Sequence, residues 1–291
     1  MRTLPLLASL LVVDSLFFIS ARLLGDRLDP SVAAFYYMSV ASLQLTIYGL
    51  VTRKLDFSLL RKNIWFFLSI GLFVGTATNL AYQAAQLVDP GTASMLSQFG
   101  VIIALALGLF WLRERLTTAQ WLGAALAIAG VFVITYQPSL DLRFGALLIL
   151  LSNTFYVLHT AITKRYGDEM DFISFFTFRI VFTTLFTFIF ALGGGGTFTV
   201  PNGQTIILLL IFGTTDVVIS RSLYYIALRR LTLSIHTIVL TLTPVLTIVW
   251  AWLIFQEVPG PLQFAGGSLV LLGVIVATAW RQRQAVQPAG D

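Results

Sequence analysis

Ten stretches of about 20 apolar residues, each long enough to cross a bilayer as a helix, follow one another along the whole chain. Charged or Gly/Pro-rich breaks separate them. The predicted spans are 4–24, 31–51, 63–86, 91–112, 118–136, 143–164, 172–192, 204–228, 233–255 and 261–280. Asp29-Pro30, Asp89-Pro90-Gly91, Gln137-Pro138 and Pro259-Gly260-Pro261 read as helix-ending signals. Only 11% of the 291 residues are charged. A soluble chain carries roughly a quarter, so most of this surface meets lipid. The expected fold class is all-α integral membrane, with ten transmembrane helices. The first 24 residues start with Arg2 and run apolar, but Arg22, Asp26 and Arg27 follow in place of a small-residue cleavage site. They read as an uncleaved first helix.

Lys and Arg orient the spans. With the N-terminus inside, thirteen of the 18 fall in cytoplasmic segments, among them Arg53, Lys54, Arg61 and Lys62. Arg22, Arg27 and Arg143 fall on the other side, and Arg179 and Arg221 lie within spans. Both termini are therefore expected in the cytoplasm, with the chain multi-pass in the inner (plasma) membrane. The pI near 9.7 is explained by these loops, so no nucleic-acid partner is expected. The expected partners are the lipid bilayer and a small-molecule substrate, and the expected assembly is a monomer or weak dimer. The chain has no cysteine, which excludes disulfides, thiolate metal sites and cysteine nucleophiles.

Two parts of the chain align at an offset of 143 residues. Tyr82, Glu114, Gln120, Gly123 and Gly130 in residues 82–136 meet Tyr225, Glu257, Gln263, Gly266 and Gly273 in residues 225–279. The expected organisation is a first five-helix repeat over 1–137 and a second over 138–291. An odd number of helices per repeat makes the second enter from the opposite face. The repeats are thus inverted, as in many secondary transporters.

The stretches LFWLRERLTTAQWLGAALAIAGVFVI (109–134) and WLIFQEVPGPLQFAGGSLVLLGVIVA (252–277) make the pattern more specific. Each has a Glu closing one helix, a short turn, and a Gly-bearing helix of matching length. With the five-plus-five plan, the chain resembles the drug/metabolite transporter superfamily, of the ten-helix EamA-type permease kind. That resemblance implies a transport role over nearly the whole chain and leaves the substrate open.

An ionisable residue inside a span costs free energy and is a functional candidate by default. Asp14 lies near the middle of the first span. It is read as a proton-coupling site or cation anchor, against a buried acid paired with an Arg. Arg179 can fork onto a carboxylate or phosphate, or can pair with Asp14 or Asp216. Asp216 and Arg221 are five apart, about 140° around an α-helix, which disfavours a pair within the helix. His159 and His236 complete the ionisable set, His159 being more often a packing residue than a relay. Asn79, Tyr82 and Gln83 on the third span, Ser94 and Gln98 on the fourth, and Tyr225 by the repeat add a polar lining. The Gly residues of the repeat read as packing. No histidine stands at a metal-ligand spacing with an acid, so no metal is expected, and no cofactor is.

The expected function is secondary export of a small polar or amphipathic metabolite such as an amino acid, by alternating access between the repeats. The alternative is an organic-anion or drug/sugar-type carrier of the same fold. An intramembrane enzyme lacks a recognisable Ser-His motif around His159 with Ser152 or Ser174. A channel would show charge rings or an oligomeric filter.

Overall fold

The computed structural model describes residues 3–111, 117–136, 139–166, 170–224 and 240–285, and every regular element among them is helical. In chain order they are α1 (Thr3–Asp14), α2 (Phe17–Gly25), α3 (Pro30–Val51), α4 (Phe57–Lys62), α5 (Ile64–Ala84), α6 (Pro90–Ser97), α7 (Gly100–Trp111), α8 (Thr118–Thr135), α9 (Leu140–Tyr166), α10 (Phe172–Gly193) and α11 (Gly203–Phe212). A π-helical stretch, Gly213–Ile219, continues α11; α12 (Thr243–Phe255) and α13 (Pro261–Ala285) follow.

Eight helical stretches are long and apolar enough to cross a membrane: Pro5–Gly25, Pro30–Val51, Ile64–Ala84, Pro90–Leu107, Thr118–Thr135, Leu140–Thr163, Phe172–Gly193 and Gly203–Tyr224. Each starts within three residues of a predicted span. Two shorter apolar helices follow, Thr243–Phe255 and Pro261–Ala277. The first part of the ninth predicted span lies outside the described residues. The chain is an integral membrane protein.

The helices begin where side chains replace missing backbone acceptors. The Asp29 carboxylate accepts from the Ser31 and Val32 amides, with Pro30 in the first turn of α3. Asp89 and Pro90 do the same for α6, and the Thr92 amide is the donor. Asp-Pro, read from sequence as a helix end, is here the start of the next helix, because Pro lacks the N–H that the first turn cannot use. Asp171 and Asn202 cap α10 and α11. Thr117 and Gln120 close a capping box on α8. In the loop before α4, the Ser58 hydroxyl and amide hold the Asp56 carboxyl below the usual carboxylate range.

The helices sort into two compact units that draw on both ends of the chain. Unit 1 is Met1–Ile19, Leu87–Leu150 and Ser222–Asp291; unit 2 is Ser20–Gln86 and Leu151–Arg221. In unit 2, α10 packs along α3 and α5, and α3 also meets the π-helical stretch. In unit 1, α13 packs along α8, and α12 against α6.

The α8–α13 contact is the tightest in unit 1. A Cβ on Gly123 would lie 2.5 Å from the Gly273 carbonyl oxygen, and one on Gly273 would lie 2.5 Å from that of Gly123. Gly130 and Gly266 meet in the same way at 2.5 and 2.6 Å. The pairing of 123 with 273 and 130 with 266 means that the helices run antiparallel. Small residues allow this approach where lipid provides no hydrophobic drive to association.

Substituting this seam should cost stability. Gly130→Val is expected to destabilise by about 1–3 kcal/mol, as overpacking does. Gly203→Ala, where nothing lies within 4 Å of the added carbon, is expected to be near neutral. Melting in detergent checks both.

Candidate substrate site

Among the described residues, three turns break or precede apolar helices of unit 1. The first falls at Ser15-Leu16, between α1 and α2; the second at Gln98-Phe99, between α6 and α7; the third at Thr241-Leu242, before α12. The second and third are 143 residues apart, the offset of the sequence repeat. Pro244 sits in the first turn of α12, where its missing N–H costs nothing. It starts this segment.

Side chains fasten the interrupted backbone. Thr247 Oγ1 lies within donating distance of the Ser15 carbonyl (3.0 Å), the Thr243 carbonyl (3.1 Å) and the Ser94 hydroxyl (3.2 Å). The Trp250 indole donates to Ser15 Oγ at 3.1 Å. Gln98 Nε2 points to the Leu240 carbonyl at 3.5 Å. Asp14, half-buried, is the last residue of α1 and sits at the first interruption.

Unit 2 holds the buried charges. Asp216 is 3% exposed. One of its oxygens accepts from Ser20 Oγ at 2.6 Å and the other from Thr215 Oγ1 at 3.0 Å. The fully buried Tyr82 packs its ring 5.5 Å from that of Tyr37. Asp216 lies in the π-helical stretch, and the Ser220 amide donates to the Thr215 carbonyl five residues back. Five residues are close to one turn there, so the 140° separation expected between Asp216 and Arg221 does not apply. Such π segments recur at functional sites.

A second cluster joins α9 to Arg221, just after the π-helical stretch. The Tyr156 and His159 rings are 5.3 Å apart, and the Arg221 guanidinium carbon lies 5.9 Å from the Tyr156 ring centre. His159 Nδ1 is 3.3 Å from the Tyr156 carbonyl. Arg179 is 2% exposed and His159 3%. Neither Arg179 Nε nor His159 Nε2 has a hydrogen-bond partner among the described residues.

Unit 2 also contains an open cavity of ≈ 530 Å³. Asp29, Ser31, Asn79 and Gln83 give it polar walls; Phe190 and Gly194 close part of the rest. Gln83 Nε2 reaches Asn79 Oδ1 at 3.4 Å and Ser31 Oγ at 3.5 Å.

The structure thus brings Tyr82, His159, Arg179, Asp216 and Arg221 into unit 2 and puts Asn79 and Gln83 on its cavity. Ser94 and Gln98, expected as lining, bond to Thr247 and to backbone in unit 1. Tyr225 and His236 lie outside the described residues. Sequence reasoning missed Ser20, Thr215 and Thr247. Ser and Thr usually bond back to their own helix in membranes, which hides them. The one available signal was Thr247 lying a single turn beyond Pro244.

Broken helices and buried charges within an all-helical membrane chain fit a membrane transporter. Comparison with known proteins agrees. The EamA-like transporter family model matches residues 3–136 and again 143–279, and the chain belongs to that family. It is 27% identical over 254 residues to the "Uncharacterized transporter YdfC" of Bacillus subtilis (strain 168), covering 84% of this chain and 80% of that protein. It is 28% identical over 220 residues to the "Probable terminal-alkyne amino-acid exporter" of Streptantibioticus cattleyicolor, 69% of each. The "Riboflavin transporter" of Vibrio cholerae shares 22% over 178 residues, 60% of this chain and 57% of that one. One crystal structure matches with a TM-score of 0.66 over 97% of this chain and 98% of the other at 17% identity, a likeness of fold.

Thr247→Val should leave the Ser15 carbonyl without its donor. Losing a buried partner costs about 1–3 kcal/mol, so the variant should melt lower, while Thr247→Ser should melt near the parent. Equal melting of all three would remove Thr247 from this role.

Proposed function

We propose that the chain is a secondary exporter of a small polar or amphipathic metabolite such as an amino acid. It works by alternating access between two inverted five-helix repeats, 1–137 and 138–291, with ten helices in all. Both termini lie in the cytoplasm, at the inner membrane. The observation that carries this reading is the paired geometry at one offset. The turn inside span four and the turn that precedes α12 lie 143 residues apart. The repeat-equivalent helices α8 and α13 also pack antiparallel, with Gly123 on Gly273 and Gly130 on Gly266. Inverted repeats with discontinuous helices are the common architecture of secondary carriers. The amino-acid exporter among the relatives supports the substrate class and the direction.

Asp14 is the proposed proton-coupling residue. It is an ionisable group at the interruption of a span, where carriers concentrate such groups. Proteoliposomes screened against a metabolite panel, with empty vesicles as control, test the function. Saturable, pH-gradient-dependent flux is expected, and its absence for every solute would count against the carrier. Asp14→Asn should insert normally and lose or uncouple transport. A normal rate across all pH gradients would make Asp14 structural.

The orientation is open to a direct test because the chain has no native cysteine. Ser58→Cys is expected to label from the cytoplasmic side and Thr197→Cys from the other. Labelling of both from one side would overturn the topology.

A further inference from the structure

We propose that Arg179 is a binding site for an oxyanion: the carboxylate of an amino or organic acid, or a phosphate. This inference rests on the carrier reading and names the chemistry its cargo must present. Arg179 lies eighth in the 22 residues of α10, about 10 Å from the helix start at 1.5 Å per residue. It is 2% exposed, so its guanidinium is enclosed by protein and does not snorkel to headgroups. A guanidinium keeps its charge in proteins. Burying it therefore demands an anion or a full set of acceptors.

Among the described residues it has neither. No carboxylate oxygen of a described residue lies within 4 Å of Arg179. Arg179 Nε has no hydrogen-bond acceptor. Asp216, the buried acid of the same unit, is held by the Ser20 and Thr215 hydroxyls. His159 of the same unit is also buried and has an orphaned nitrogen, Nε2. One turn along the same face of α9, Thr163 Oγ1 is also buried without a partner. The guanidinium fork, the imidazole and the hydroxyl are groups that recognise a planar carboxylate or a phosphate. A cation kept unpaired in an enclosed site is poised for an anion that arrives from solution.

The experiment uses the full chain in nanodiscs. Its melting is followed against benzoate, benzamide and inorganic phosphate, in the parent and in Arg179→Met. A ligand that binds only the folded state raises the midpoint. Benzoate or phosphate should raise it and benzamide should not; the larger of the two anion effects identifies the head group. Arg179→Met should abolish the effect and, free of ligand, melt no lower than the parent, since an unpaired buried charge has been removed. If neither anion acts on the parent, the proposal fails. It fails too if the Met variant responds like the parent, or if its loss of stability accompanies an anion-blind parent. Should the Met variant not fold, Arg179→Lys keeps the charge without the fork and should bind about tenfold more weakly; unchanged binding would overturn the site. Proteoliposomes separate this from the carrier reading. Anion binding without transport of any solute would sink the carrier alone. Saturable transport blind to the presence of an oxyanion would sink the site alone.

Discussion

The hydrocarbon core of a bilayer offers no hydrogen bonds, so a spanning helix can be interrupted only where protein replaces its backbone bonds. That constraint divides the work of the two units. Among the described residues, unit 1 contains the three turns, and Thr247, Trp250 and Gln98 are the side chains that serve them. Unit 2 has a different irregularity, one π-helical stretch with an i→i+5 bond at Ser220. Its exceptional content lies in side chains, because it encloses Asp216, Arg179 and His159.

Those buried groups are treated in opposite ways, and their chemistry explains the difference. An acid can be neutralised by a proton or stabilised by hydroxyl donors. Asp216 takes the second course, with a short bond from Ser20 and a longer one from Thr215. An arginine has only donors and cannot shed its proton. Leaving Arg179 without a carboxylate is therefore an expense with no local return, unlike the Asp216 arrangement. An ion pair of its own, which would have explained it cheaply, is missing for Arg179 among the described residues.

Most of the fold was legible because its signals are local. Apolar length marks a span, and an Asp followed by Pro fixes where α3 and α6 begin. The Gly123 and Gly130 register announced a packing seam, though not that its partner would be its own repeat equivalent. Arg179, Asp216 and His159 were legible through cost alone, since a buried ionisable group needs a reason. The bonding partners were not. Ser20 meets Asp216 across 196 residues and Thr247 meets Ser15 across 232; no spacing rule reaches that far. The π-helical stretch was invisible too, because nothing in GTTDVVI distinguishes an i→i+5 bond from an α-helical one. The polar residues Ser94 and Gln98 were found, but for the wrong reason: they bond to Thr247 and to backbone at interrupted spans.

The repeat and the charges follow different rules. The interruptions at Gln98-Phe99 and Thr241-Leu242 and the glycines of α8 and α13 recur at the 143-residue offset. Carried across the rest of the chain, the same offset sets Asp14 against Val157, Leu16 against His159, Tyr36 against Arg179, Phe73 against Asp216 and Thr78 against Arg221. Every ionisable residue in these pairs faces a neutral one. Duplication preserves whatever the backbone needs twice, such as close helix approach and a break in a span. It does not preserve what only one end of a solute needs. A cargo with a distinct charged head would require its cation once, and at this offset Arg179 stands opposite Tyr36, with no repeated cation.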